Sequence, residues 1–69
     1  MLLSGRNQLK GRIVEVTRGF TTAHVRIDVG GGAIITASVA NRTVDGLGLK
    51  VGGSAHAVIK PSDVMVAID

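Results

Sequence analysis

Apolar and polar residues alternate with a period of two along most of this chain, the mark of strands that bury one face. The cleanest case runs from Thr21 to Val29, where Ala23, Val25, Ile27 and Val29 fall on one side and His24, Arg26 and Asp28 on the other. It predicts a half-buried antiparallel strand. Ala33 to Ala40 repeats the pattern through Ala33, Ile35, Ala37 and Val39, and Gly30-Gly31-Gly32 between the two reads as a hairpin loop. Upstream, Gln8 to Thr17 reads as a strand in which Ile13, Val14 and Val16 place apolar groups on both faces, which predicts burial on both sides. Arg18-Gly19 closes it in a turn, with glycine free to take positive φ.

The period changes at Asn41 to Leu49. Val44 and Leu47 are three apart, so a short helix is expected there, capped by Asn41 and ended by Gly46 or Gly48. Val51-Gly52-Gly53 is a second glycine turn, after which Ser54 to Lys60 alternates again through Ala55, Ala57 and Ile59. Pro61 interrupts that strand because proline has no N–H to give to a ladder, and Val64, Val66 and Ile68 form a last short one. Five strands with one helical turn between the third and the fourth predict an all-β fold, a five-stranded Greek-key barrel of the OB type spanning residues 1–69 as one domain.

Size turns this into an expectation about assembly. A chain of 69 residues buries only about 60% of the surface that its unfolded form exposes. It contains no cysteine, so neither disulfides nor thiolate-bound metal can compensate. A hydrophobic content of 45% and a mean hydropathy of +0.38 exceed what a monomer of this size hides, so self-association is expected. Met1-Leu2-Leu3 is too short for a signal-peptide core and the longest uncharged stretch, Val29 to Asn41, carries three glycines and several polar residues. A soluble, cytoplasmic protein without a membrane span is the expectation.

A net charge of +3 and an isoelectric point near 10.2 favour anionic partners, although the basic residues are scattered and form no polybasic tail. The triple glycine is followed by Ala33-Ile34-Ile35, not by the lysine and hydroxyl of a phosphate loop. His24 and His56 sit on polar sides of strands with no second histidine or cysteine beside them, so zinc is not expected. No nucleophile elbow is present and no carboxylate pair stands apart from cations, so catalysis is not expected either. A basic OB-like barrel could bind single-stranded nucleic acid, but that function leans on aromatic platforms and Phe20 is the sole aromatic residue.

Two short polar stretches remain, Ser4-Gly5-Arg6-Asn7 at one border of the sequence and Lys60-Pro61-Ser62 near the other. One reading makes the first an N-terminal arm with an incidental arginine and a helix-capping serine. The other makes the two together an oxyanion site. A tetrahedral dianion needs convergent donors and compensating charge; Arg6 offers a planar fork, Lys60 a point charge, Ser4 and Ser62 hydroxyls, and Gly5 lets backbone N–H groups approach closely.

Ser4-Gly5-Arg6-Asn7 with Gln8-Leu9-Lys10-Gly11, then Val16-Thr17-Arg18-Gly19, Leu47-Gly48-Leu49 and Val58-Ile59-Lys60-Pro61-Ser62-Asp63-Val64-Met65 together resemble the molbindins, the Mop-type molybdate-binding proteins with a Mop/TOBE-like domain. The resemblance covers nearly the whole chain. It implies strand exchange between subunits and a hexamer built as a trimer of dimers, with molybdate or tungstate at subunit interfaces and no organic cofactor. Carried over by position, the interface site takes Ser4, Gly5, Arg6 and Asn7 from one subunit, Thr43 at the start of the helical turn, and Lys60, Pro61 and Ser62 from another. Ala40 falls where relatives can carry threonine, so one hydroxyl contact is lost. A second site near the threefold axis would involve Thr17, Arg18, Gly19 and Phe20. The implied function is cytoplasmic storage and homeostasis of molybdenum by binding and release, with no bond made. The alternatives are nucleic-acid binding and a regulatory ligand-sensing module. Such modules are usually fused to other domains, and a chain running from Met1 to Asp69 favours the freestanding binding protein.

Overall fold

The computed structural model of the chain describes residues 7–69. Among these, four strands form one antiparallel sheet: β1 (Asn7–Arg18), β2 (Thr22–Gly30), β3 (Ala33–Ala40) and β4 (Ser54–Ile59). A helix, α1 (Asn41–Leu47), joins β3 to β4, and a 3-10 turn over Pro61–Asp63 follows β4. The spatial order β3-β2-β1-β4 places β4 beside β1, which is the Greek-key arrangement expected of an OB-like fold.

The long strand β1 serves two neighbours in turn. Asn7 to Arg12 pair with Ile59 to Ser54, and Arg12 to Arg18 pair with Asp28 to Ala23. Arg12 is the crossover residue, matched to Asp28 on one side and Ser54 on the other. Just before it, the chain passes so close to β2 that a Cβ on Gly11 would lie 2.3 Å from the Asp28 carbonyl oxygen. Glycine is therefore needed at position 11 for the sheet to curl.

The core consists of Ile13, Ala23, Val25, Ile27, Val44 and Ala57. Burial of β1 on both faces, expected from Ile13, Val14 and Val16, does not occur. The register shifts between Ile13 and Glu15, so Val14 is an extra residue in a β-bulge. The bulge reverses the alternation, and Ile13 and Val16 end on the same inward face, opposite Ile27 and Val25, while Val14 is exposed.

Helix α1 closes one end of the sheet. Val44 is buried to 2% exposure, a burial worth about 1.5–3 kcal/mol. Gly48, at φ 64°, terminates the helix in the left-handed region, with the Leu49 N–H donating to the Val44 carbonyl. Asn41 does not cap it: the N-cap is Ala40, with no side-chain bond, and the Asn41 Nδ2 instead donates to the carbonyls of Gly19 at 3.0 Å and Phe20 at 3.3 Å. The residue thus ties the β1–β2 turn to the helix.

The expected fifth strand is not paired. Val64 to Asp69 follow the 3-10 turn without a sheet partner among the described residues, and Met65, Val66 and Ile68 are 94%, 89% and 92% exposed. β3 and β4 do not bond one another, so among the described residues each leaves an edge of the sheet open.

On the outer face, Glu15 accepts from the Thr17 hydroxyl at 2.9 Å and from Arg26 at 3.3 Å. The Thr17 bond first, and the Arg26 guanidinium second, hold the Glu15 carboxyl below its ordinary value of 4.5. A depressed carboxyl stabilises the fold fully above its unfolded value and ceases to do so as pH falls through the lowered one. Glu15→Gln is therefore expected to flatten the acid side of the stability curve below pH 4.5, read as the urea midpoint against pH, with no change at neutral pH beyond the loss of an exposed pair.

Candidate functional site

Ser4, Gly5 and Arg6 lie outside the described residues, so the first stretch enters the structure at Asn7. There the Asn7 Nδ2 donates to the Ile59 carbonyl at 3.3 Å, and the two residues are also paired in the β1–β4 ladder. Asn7 and Lys60 are thereby neighbours at one end of the sheet, within a single chain. Two sequence stretches more than fifty positions apart meet there because β4 runs antiparallel to the first half of β1.

Past Ile59 the backbone leaves the sheet. Lys60, extended at φ −64° and ψ 140°, precedes the 3-10 turn, in which Pro61 takes the first position where no N–H is required. The Asp63 N–H donates to the Lys60 carbonyl at 2.9 Å and the Val64 N–H to the Pro61 carbonyl at 3.3 Å. These bonds hold Lys60, Pro61 and Ser62 in one exposed corner. Lys60 has no carboxylate within ion-pair distance among the described residues, where the ion pairs are Arg18–Asp45 and Arg26–Glu15. The corner offers an unsatisfied cation, a hydroxyl and an amide, a donor set that suits an anion.

Thr43 is elsewhere. It lies half-buried in the first turn of α1, which packs on β2 and β3 at the Arg18 end of β1. Lys60 leaves β4 at the Asn7 end. One chain therefore does not assemble Thr43 with Lys60–Ser62.

The second expected set, Thr17 to Phe20, is the β1–β2 turn. Its donors are largely engaged within the chain: Thr17 on Glu15, the Arg18 guanidinium on Asp45 at 2.6 Å, and the Gly19 N–H on the Thr22 carbonyl at 2.7 Å. Phe20 is fully exposed at the tip.

The comparisons with known proteins agree with this architecture. Residues 3–66 match the model of the TOBE domain. The chain is 44% identical, over the full length of both, to a probable molybdenum-pterin-binding protein of Haemophilus influenzae. Among solved structures it resembles MopII from Clostridium pasteurianum, with a TM-score of 0.90 and 40% identity over 97% of this chain and 100% of that one. It also resembles the cytoplasmic molybdate-binding protein ModG with molybdate bound, with a TM-score of 0.88 and 43% identity over 94% of this chain and 46% of that one.

Proposed function

This chain belongs to the TOBE-domain family and, within it, to the molbindins, and from that premise we propose that it binds molybdate at the corner formed by Asn7, Lys60, Pro61 and Ser62. The observation that carries the proposal is the meeting of Asn7 with the Lys60 turn, where a cation with no carboxylate partner among the described residues stands beside a hydroxyl. Ser4, Gly5 and Arg6 immediately precede Asn7 in the sequence and complete the proposed donor set with a second cation and a second hydroxyl. Thr43, at the other end of the sheet, joins the set from a second copy of the chain. Tungstate, nearly the same in size and charge, competes for the site, whereas the smaller sulfate leaves some donors stretched.

The assembly is a homo-oligomer, a hexamer arranged as a trimer of dimers. Supporting it are the segment from Val64 to Ile68 and the outer edges of β3 and β4, which have no sheet partner among the described residues, and the exposed Phe20, Leu47 and Val51. Strand-like apolar residues next to open sheet edges are what one copy offers another. At the turn from Thr17 to Phe20 a second oxyanion would have to compete with Asp45 for Arg18, so that region contributes less affinity than the Lys60 corner. The protein acts by binding and release, without an organic cofactor and without catalysis, as a cytoplasmic molybdenum store; among the described residues no helix is long and apolar enough to cross a membrane.

Native mass spectrometry with and without molybdate tests both parts together. The expected spectrum is a hexamer that gains molybdate in whole-number steps. Deleting residues 64–69 is expected to yield monomers with little retained molybdate. A wild-type chain that stays monomeric in the presence of molybdate would refute the two-copy site.

A further inference from the structure

The outer face of the β1–β4 ladder carries a second concentration of donors, apart from the Lys60 corner. Lys10 and Arg12 project from it two residues apart, about 7 Å along the strand. Opposite them in register stand His56 and Ser54. Between Lys10, Arg12 and Ser54 and the turn at Gly52 lies an open cleft of about 340 Å³, lined by these residues and Gly11. Two like charges on one face repel.

Asp28 is the register partner of Arg12 on β2; its Oδ1 accepts from the Gly30 N–H at 2.9 Å, and it forms no ion pair among the described residues. Glu15 is committed to Arg26 and Thr17. Neither Lys10 nor Arg12 has a carboxylate within ion-pair distance among the described residues. The backbone of Gly11 and Gly52 contributes to the floor of the cleft.

We infer that this cleft is a further anion site, which takes a phosphate monoester between Lys10, Arg12 and Ser54. The guanidinium and the ammonium match a phosphate dianion, and the Ser54 hydroxyl supplies a neutral donor beside it. The volume exceeds the need of a bare tetrahedral ion and reaches the lower end of the range for small organic ligands, roughly 300–1,000 Å³. The organic part of the ester lies over the backbone of Gly11 and Gly52. The inference stands independently of molybdate binding at the Lys60 corner.

The test is an amide NMR titration of the full chain with ribose 5-phosphate and, separately, with inorganic phosphate. Saturable shifts at Gly11, Arg12, Gly52 and Ser54 are expected with ribose 5-phosphate, and weaker binding with inorganic phosphate. Lys10→Gln and Arg12→Gln, both at exposed positions, are each expected to raise the dissociation constant about tenfold or more while the rest of the spectrum stays folded. Lys60→Ala is expected to leave this titration unchanged. The absence of saturable shifts up to about 10 mM, where binding would be too weak to matter, would overturn the site. So would undiminished affinity in the two glutamine variants or shifts confined to the Lys60 corner. Equal affinity for the two ligands would overturn the assignment to an ester.

Discussion

Replacing Lys60 with alanine is expected to weaken molybdate binding roughly ten- to a hundredfold, since a hydrogen bond to a charged group contributes about 1.5–3 kcal/mol. The fold should not respond. Lys60 is exposed, lies just beyond the last residue of β4 and makes no ion pair among the described residues, so its removal breaks no contact within them. Its backbone φ of −64° suits alanine equally well. Ser62→Ala removes a neutral hydroxyl and should cost less, about threefold to tenfold. Lys60→Arg keeps the charge but replaces a compact ammonium with a wider fork, and partial recovery is expected. Isothermal calorimetry with sulfate as the control ion, alongside thermal melts of each variant, separates the two effects. Wild-type affinity in Lys60→Ala would move the molybdate site away from this corner.

Gly11→Ala is expected to be strongly destabilising. Its Cβ would lie 2.3 Å from the Asp28 carbonyl oxygen, 2.9 Å from that carbonyl's carbon and 2.8 Å from Ile27 Cγ2. Two of the three obstacles are backbone, so no rotamer change relieves them. Asp28 would have to move away from Arg12, where β1 passes from one neighbour to the other. Forcing β1 from β2 costs roughly 3 kcal/mol or more, which at this chain length lowers the melting temperature by about 10–20 °C. The contrast is Gly46→Ala inside α1, where nothing stands within 4 Å of the new Cβ and helix propensity favours alanine by about 0.8–1 kcal/mol. Thermal unfolding followed by circular dichroism should therefore move in opposite directions for the two. A Gly11→Ala melt matching the parent would mean that β1 and β2 are not held as closely as the structure places them.

Much of the architecture could be read from local pattern. Ala23, Val25, Ile27 and Val29, and then Ile35, Ala37 and Val39, face inward as their alternation predicts, and the hairpin turns within Gly30–Gly32, all three at positive φ. Val44 and Gly48 mark the buried position and the stop of the helix. Molybdenum chemistry was legible too, through the run of motifs that resembles the molbindins, and the relatives agree. The Val14 bulge was not legible, because a residue inserted against a partner strand leaves no mark in the alternation of its own strand. Asn41 looks like a cap from its place before a helix, and only the nearby β1–β2 turn shows that its amide serves Gly19 and Phe20 instead.

The residues by themselves determined which segments become strands, where the chain turns and which side chains favour an anion, since these depend on neighbours two to four positions away. Tertiary structure alone decided that Asn7 stands beside Ile59 and Lys60, that Thr43 stands at the far end of the sheet, and that Lys10 and Arg12 share a cleft with Ser54. Strand register couples residues more than forty positions apart, and it is set by how β1 divides its hydrogen bonds between β4 and β2, a choice that no local window contains.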